Sequence, residues 1–164
     1  MIPPLNTVKH WNSIITENKD GEHWEHTGWS GNLREPFRHW CKMPQFKGVY
    51  SDIYSFIEPE LDIRNLEPER VLVNAYGHGD SSWLHEDSDL ADRWTVIVYL
   101  NDIWDTNWGG ETLIFEKGGD IIHTALPTPG RVIMFDSRLT HGPRPVSREA
   151  PLPRLGVTFQ CKKI

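Results

Sequence analysis

After Pro68 the sequence becomes a series of short apolar runs separated by turn-forming residues, and this pattern restricts the possible folds most strongly. Each run is five to eight residues long, rich in β-branched or aromatic side chains, and bounded by Gly, Pro, Asn or Asp, as strands joined by turns are. None is long enough for a core helix, so we expect an antiparallel double-sheet barrel or sandwich. The runs are Arg70–Tyr76, Trp94–Leu100, Glu111–Phe115, Ile121–Ala125, Arg131–Phe135 and Arg154–Cys161.

The N-terminal residues up to about 45 are polar and irregular by comparison. Val8–Asn18 could form a short helix that ends near Asp20-Gly21. Phe46–Ile57 lacks helix breakers and predicts a second helix, which Pro59 should stop. The chain is therefore predicted to be mainly β with N-terminal helices, an α+β arrangement.

The length of 164 residues fits one domain with one sizeable core. We predict a single domain over 1–164, with a helical and irregular part (about 1–68) on a β core (about 69–164). The net charge of −6 argues against binding to nucleic acid or to anionic membranes. No apolar stretch has membrane-spanning length, the first residues do not resemble a signal peptide, and two cysteines make no disulfide framework. These features favour a cytoplasmic protein.

The tripeptide His85-Glu86-Asp87 is the first candidate metal site. On a strand, residues i and i+2 face the same side, so His85 and Asp87 could reach one ion. Two histidines and one carboxylate form the facial arrangement that binds non-haem iron and leaves coordination positions open. His141, which follows the run Arg131–Phe135, is the candidate third ligand.

A His-x-Asp tripeptide is short enough to arise by chance, and the chain contains a second one, His78-Gly79-Asp80. Its flanking glycines predict a turn, which holds ligands less rigidly than a strand. We therefore favour the first tripeptide. The remaining histidines considered are expected to be ordinary surface or hydrogen-bonded residues: His23, His26, His39 and His123.

The order of the neighbouring motifs adds specificity. Tyr76 stands nine residues before His85, and the run Trp94–Leu100 ends in Tyr99-Leu100-Asn101. Next come Gly109-Gly110-Glu111-Thr112, Phe115, and a strand-like run from Pro129-Gly130 to Phe135 that leads to His141. Over about Val71 to Gln160 the sequence resembles the prolyl-4-hydroxylase-like branch of the 2-oxoglutarate/Fe(II) oxygenases.

This resemblance implies a double-stranded β-helix core, of the jelly-roll or cupin-like kind. It implies that Fe(II) is held by His85, Asp87 and His141, with 2-oxoglutarate and O₂ as cosubstrates. It also implies that an unactivated C–H bond of the substrate is hydroxylated while 2-oxoglutarate is converted to succinate and CO₂.

The family binds the distal carboxylate of 2-oxoglutarate through a basic residue on the last core strand. Arg154 lies 13 residues after His141, farther than is usual for the family, and opens a strand-like run. Arg148 is at a more usual distance but lies among Ser, Glu and Pro, and Arg144 lies between prolines. We favour Arg154, because a strand fixes a planar guanidinium for bidentate binding. The resemblance adds Tyr99 and Tyr76 to this cosubstrate site.

The substrate itself is less constrained. Trp83 would share the face of His85 on an extended strand and could border the pocket, and Arg34, like Asn32, could meet a polar substrate. A small molecule or amino acid is slightly favoured over a peptidyl substrate in so short a chain. Two other functions remain open at this point: a cupin-like metalloenzyme without 2-oxoglutarate, and a non-enzymatic carbohydrate-binding jelly roll.

Overall fold

The computed structural model describes residues 2–27, 38–61, 63–117 and 119–164. Within these ranges, two α-helices and one short 3-10 helix (Thr106–Trp108) accompany nine strands, and all strand pairs are antiparallel. The helices are α1 (Leu5–Thr16) and α2 (Val49–Leu61). The strands are β1 (Glu25–Thr27), β2 (His39–Lys42), β3 (Leu66–Tyr76), β4 (Arg93–Tyr99), β5 (Thr112–Phe115), β6 (Ile121–Ala125), β7 (Val132–Asp136), β8 (His141–Pro143) and β9 (Arg154–Lys163).

The strands form two sheets that face each other. The larger has the order β1-β2-β3-β9-β4-β7, and the smaller has the order β6-β5-β8. The long strands β3, β9 and β4 lie side by side at the centre of the larger sheet. Because side chains alternate along a strand, each of these three strands presents one row to the helices and the other to the smaller sheet.

The helices cover the outer face of the larger sheet. In α1 the buried residues Val8, Trp11 and Ile15 follow a helical period and form one apolar stripe. They pack with buried residues of α2 and with the row of β9 that contains Leu155, Val157 and Phe159. This cluster is the main hydrophobic core.

A second apolar cluster lies between the sheets. Ile97 and Tyr99 of β4 meet Ile133 and Phe135 of β7, together with Ile114 from the smaller sheet. It closes one side of the space between the sheets, and the other side remains open as a cavity.

The six predicted strand runs correspond to β3, β4, β5, β6, β7 and β9, and the two helices are present, so the predicted mainly β class is confirmed. The prediction that Pro59 stops the second helix is wrong, because α2 continues to Leu61. A proline removes a single hydrogen bond, here to the carbonyl of Ser55. Ser55 is exposed, so that carbonyl can bind water instead.

Strands β1, β2 and β8 were not indicated by the sequence. Each is only three or four residues long and contains polar residues or proline, so none shows the alternation that identifies a strand. No helix in the described part of the chain is long and apolar enough to cross a membrane.

Candidate metal centre and cavity

Three side chains converge near the open side of the space between the sheets. The candidate ligand atoms of His85, Asp87 and His141 all lie within 4.8 Å of one another. The Nε2 atoms of His85 and His141 are 3.6 Å and 3.5 Å from the two carboxylate oxygens of Asp87. The two imidazole centroids are 4.6 Å apart. Two nitrogens and one carboxylate at these separations fit the facial ligand set of a non-haem ferrous ion.

The orientation of both imidazoles is fixed by backbone carbonyls. Nδ1 of His85 lies 2.8 Å from the carbonyl of Trp83, and Nδ1 of His141 lies 3.0 Å from that of Leu139. Since a carbonyl can only accept, each Nδ1 must carry a proton. In the neutral ring Nε2 is then left with its lone pair, which is the form that a metal binds.

The backbone around these residues differs from the sequence prediction. His85 and Asp87 do not lie on a strand, since they belong to the connection between β3 and β4 and only an isolated bridge joins His85 to His141. The two histidines exchange both backbone hydrogen bonds, at 3.0 and 2.8 Å. The amides of Asp87 and Ser88 both donate to the carbonyl of Ser137. The connection is therefore held at two points, which replaces the rigidity that a strand would give.

Asp87 is held by hydrogen bonds from two strands. Thr95 on β4 donates to one carboxylate oxygen at 2.6 Å, and Gln160 on β9 donates to the other at 2.8 Å. Burial alone would raise the pKa of Asp87, but the bonds from His85 and Thr95 and the nearby His141 ring keep that pKa below its ordinary value. The carboxylate is thus ionised and fixed in orientation, as a metal ligand must be.

The two histidines have different proton affinities. Burial lowers the pKa of His141. Burial also acts to lower the pKa of His85, but the hydrogen bonds to Asp87 and to the Trp83 carbonyl outweigh it and leave that pKa above its ordinary value. Of the two imidazoles, His85 is therefore the first to take a proton as pH falls.

A cavity of about 260 Å³ extends from these three residues along the inner face of the larger sheet. Its wall includes the inward rows of β2, β3, β4 and β9, with Cys41, Leu72, Asn74, Ile97, Gly156 and Thr158. The cavity is therefore continuous with the cluster of His85, Asp87 and His141.

Arg154 projects into this cavity from the first position of β9. Its side chain is buried, and its Nη2 donates to Oγ1 of Thr112 at 2.6 Å, while its Nε has no partner among the described residues. In the described part of the chain no carboxylate lies within ion-pair distance of it. Burying an unpaired guanidinium is costly. The site therefore fits an anionic ligand.

Two tyrosines border Arg154. The guanidinium carbon lies 5.3 Å from the ring centre of Tyr76 and 5.1 Å from that of Tyr99. The hydroxyl of Tyr99 donates to Thr112 at 2.6 Å. Burial raises the pKa of Tyr76 to about 12, so the Tyr76 hydroxyl keeps its proton and can donate it in a hydrogen bond to an anion. His39 stacks on Tyr76, with ring centres 4.4 Å apart.

The two other arginines considered for 2-oxoglutarate lie outside the cavity. Arg148 is exposed and pairs with Glu149 at 3.1 Å, and Arg144 is also exposed. Neither lines the cavity. The structure thus brings together the metal candidates with Arg154 and separates Arg148 from them.

The predicted substrate residues are placed less favourably. Trp83 is 51% exposed, belongs to no strand and is not part of the cavity wall. The strand that would have turned it inward is absent, since residues 81–84 have no strand pairing. Arg34 and Asn32 lie outside the described residues.

The second tripeptide forms the predicted turn. Asp80 accepts hydrogen bonds from the amide of Gly77 at 2.9 Å and pairs with His26 at 3.0 Å. His78 Nδ1 lies 3.3 Å from the carbonyl of Val146. These partners account for both side chains without a metal.

Several residues of the site were not identified from the sequence. Thr112 belongs to the glycine-rich motif but was given no role. Thr95 and Gln160 share the faces of Tyr99 and Arg154 by simple alternation, a signal that could have identified both. His39 was expected to be a surface or hydrogen-bonded histidine, and it is hydrogen-bonded to Asn74 at 3.0 Å. It is also 93% buried and lines the cavity, which was not expected. Its short strand gave no signal.

Comparison with known proteins gives a consistent result. A family model described as the 2OG-Fe(II) oxygenase superfamily matches residues 71–160, which is more than half of the chain. No curated protein matches the sequence.

Solved structures show the fold. A prolyl-4-hydroxylase from Pseudomonas putida superposes with a TM-score of 0.74 at 20% identity, covering 99% of this chain and 89% of that one. A prolyl hydroxylase from Trichoplax adhaerens, in complex with a peptide of a hypoxia-inducible factor, superposes with a TM-score of 0.72 at 16% identity. The match covers 96% of this chain and 78% of that one. The alpha-ketoglutarate-dependent epimerase SnoN from nogalamycin biosynthesis superposes with a TM-score of 0.67 at 13% identity, and the match covers 99% of this chain and 77% of that one. The predicted double-stranded β-helix core is thereby confirmed.

Proposed function

Because the chain belongs to the 2OG-Fe(II) oxygenase superfamily, we propose that it hydroxylates a C–H bond of a small organic substrate with His85, Asp87 and His141 as the iron ligands. Membership in this family gives Fe(II) as the metal and 2-oxoglutarate and O₂ as cosubstrates. It also decides among the functions that the sequence left open, against a cupin-like enzyme without 2-oxoglutarate and against a sugar-binding jelly roll.

The observation that carries the proposal is the convergence of the three ligand atoms within 4.8 Å at one end of a cavity. The wall of this cavity also contains the buried Arg154, which has no carboxylate partner among the described residues. Arg154 is the group proposed to bind the distal carboxylate of 2-oxoglutarate. The guanidinium suits a carboxylate because its donors lie in a plane that matches two oxygens. Tyr99 and Thr112 add hydroxyls on the same side, and Tyr76 covers the guanidinium.

The roles of the protein groups follow from their contacts. His85 and His141 present Nε2 because their Nδ1 protons are engaged by carbonyls. Thr95 and Gln160 keep both oxygens of Asp87 in place, so the carboxylate need not reorganise when the metal enters. The apolar residues between the sheets exclude bulk water from the cosubstrate end, which strengthens the contact between Arg154 and a carboxylate.

Iron, when bound, supplies the redox chemistry that couples oxidation of 2-oxoglutarate by O₂ to oxidation of the substrate. One oxygen atom enters succinate and the other forms the new hydroxyl, while CO₂ leaves. The electrons for O₂ come from 2-oxoglutarate and from the C–H bond, so no external reductant is needed.

The size of the cavity supports a small substrate. About 260 Å³ is at the low end of ligand pockets, which measure roughly 300–1,000 Å³, and the cosubstrate takes part of this space. A small molecule or amino acid therefore fits better than an extended peptide, although one of the structural neighbours was solved with a peptide.

A direct test compares Asp87→Ala with Asp80→Ala. Both substitutions remove a carboxylate from a His-x-Asp tripeptide, but only Asp87 lies in the three-residue cluster. We expect the Asp87 variant to lose tight iron binding and the release of CO₂ from 2-oxoglutarate, and the Asp80 variant to keep iron. Iron would be measured by titration without oxygen, and succinate by mass spectrometry. Full iron binding by Asp87→Ala would refute the ligand assignment.

A further inference from the structure

The outer part of the cavity carries two charges that the proposed iron and cosubstrate sites do not use. Glu25 on β1 and Arg70 on β3 both belong to the cavity wall. The ferrous ion and Arg154 together carry three positive charges, which balance Asp87 and the dianionic cosubstrate. The charges of Glu25 and Arg70 are therefore not needed to balance the iron and cosubstrate sites, and they are available to bind another ligand.

Arg70 faces the cavity because of an irregularity in β3. The register between β3 and β9 shifts between Pro68 and Arg70, so that Arg70 instead of Glu69 stands opposite Gln160. Such a bulge re-aims a side chain and is common beside active sites. Since Gln160 donates to Asp87, Arg70 is in register with the residue that holds the metal ligand. Its side chain thus enters the wall on the metal side of the cavity.

The partners of Arg70 are weak. Its guanidinium is exposed and donates to the thioether sulfur of Met43 at 3.0 Å, and such a sulfur is a poor acceptor. Within the described residues neither Arg70 nor Glu25 makes an ion pair. A guanidinium on a cavity wall with only a thioether as partner is suited to an incoming carboxylate.

Glu25 lies on the same wall across a buried thiol. Glu25 pairs directly with Cys41, and Cys41 pairs with Asn74 on β3. Burial raises the pKa of Cys41, and Glu25 raises it further while Arg70 lowers it. Both charges are therefore close enough to affect the same thiol, and they do not form an ion pair with each other.

We propose that the primary substrate is a small zwitterion of the free amino-acid type, with its carboxylate on Arg70 and its ammonium group on Glu25. This inference rests on the proposed function, because the hydroxylated carbon must then lie on the side chain that extends toward His85 and His141. A residue inside a peptide offers neither charge at these positions. The proposal thus separates a free amino acid from a peptidyl substrate.

The test uses four forms of each proteinogenic L-amino acid: the free form, the amide, the N-acetyl form and the N-acetyl amide. Binding to the iron-loaded protein with 2-oxoglutarate is measured without oxygen by ligand-observed NMR, and succinate release is measured in air. We expect one or a few free amino acids to bind and to stimulate succinate release. Their amides and N-acetyl forms should each bind roughly ten- to hundredfold more weakly, because each lacks one charged hydrogen bond.

The variants assign each charge to its residue. Arg70→Gln should weaken binding of the free amino acid by a similar factor and leave binding of its amide almost unchanged. Glu25→Gln should weaken binding of the free amino acid and leave binding of its N-acetyl form unchanged. Arg148→Gln and Glu149→Gln make the same changes on an exposed ion pair outside the cavity and should have no effect. Equal weakening of all four forms by Arg70→Gln would show a structural role and overturn the proposal.

Preference for the N-acetyl amide would also overturn it in favour of a peptidyl substrate, and so would the absence of binding by every free amino acid. Failure of the proposed function is read separately in the same samples. If the protein binds neither iron nor 2-oxoglutarate, the oxygenase assignment fails, while the NMR comparison of the four forms still reports on Arg70 and Glu25.

Discussion

Thr112 offers the sharpest test of the proposed cosubstrate site. Its Oγ1 accepts hydrogen bonds from Arg154 and from Tyr99, each at 2.6 Å, and the residue is almost fully buried. A hydroxyl oxygen has two lone pairs, so both acceptor positions are occupied and only the O–H proton is left to donate. Thr112 lines the cavity. An anion bound by Arg154 would accept a hydrogen bond from that O–H group.

The variant Thr112→Val keeps the shape of the side chain and removes the hydroxyl. A hydrogen bond to a charged group contributes about 1.5–3 kcal/mol, so the dissociation constant for 2-oxoglutarate should rise roughly ten- to hundredfold. Without ligand, Nη2 of Arg154 also loses its partner, and the free energy of unfolding should fall by about 1–3 kcal/mol. Saturating 2-oxoglutarate should reverse part of that loss, because the carboxylate supplies a new acceptor.

The assay is calorimetric titration of 2-oxoglutarate into the iron-loaded protein without oxygen, together with urea unfolding. Thr112→Ser keeps the hydroxyl and should bind nearly as well as the unaltered chain. Thr124→Val makes the same change on the exposed strand β6 and controls for the general effect of valine. If Thr112→Val bound 2-oxoglutarate within twofold of the unaltered protein, the carboxylate could not lie beside Arg154 as inferred.

Three further predictions follow from other contacts. Asp20→Ala leaves the fully buried ammonium of Lys42 without its carboxylate, so urea unfolding should show a loss of about 3–5 kcal/mol, and a loss below 1 kcal/mol would contradict this role. Iron affinity should fall as pH falls from about 8 to 5.5, since a histidine ligand must be neutral to bind the metal. The raised pKa of His85 makes it the first of the two histidines to protonate. If the ligand assignment were wrong, iron titrations across this range would show an unchanged affinity. Gly110→Ala would place a methyl group 3.3 Å from Cδ of Arg154, at a residue whose backbone φ is 72°. Both the free energy of unfolding and the affinity for 2-oxoglutarate should therefore decrease. An unaffected affinity would mean that Arg154 is not held by this contact.

Much of the β core could be predicted because its strands are long and buried. The inward position of Tyr99 on β4 follows from a period of two, and the same period places Gln160 on the face of Arg154 along β9. Local rules failed where tertiary contacts determine the backbone. Pro59 is tolerated within a helix whose residue four positions earlier, Ser55, is exposed. By contrast, the turn at His78-Gly79-Asp80 could be predicted directly from its glycines.

The metal candidates illustrate the same limit. The sequence predicted that His85 and Asp87 share a side because of a strand, whereas the structure places them on a connection that is fixed by His141 and Ser137. The side chains converge although the local reasoning was wrong. Contacts between residues far apart in the sequence are not encoded in any short window, which is also why β2 and the buried His39 gave no signal.

Strand β9 has a consequence for how this chain could be altered. Its first residue carries the guanidinium, and the seventh, Gln160, holds the carboxylate of Asp87. Five residues lie between them, so about 20 Å of extended backbone separates the two positions. Removing or adding one residue between them would turn one of the two side chains toward the helices. Only the insertion or deletion of two residues at a time would keep both side chains on the cavity side of β9. Engineering of a longer or shorter cosubstrate pocket in this protein must therefore add or remove residues of this strand two at a time.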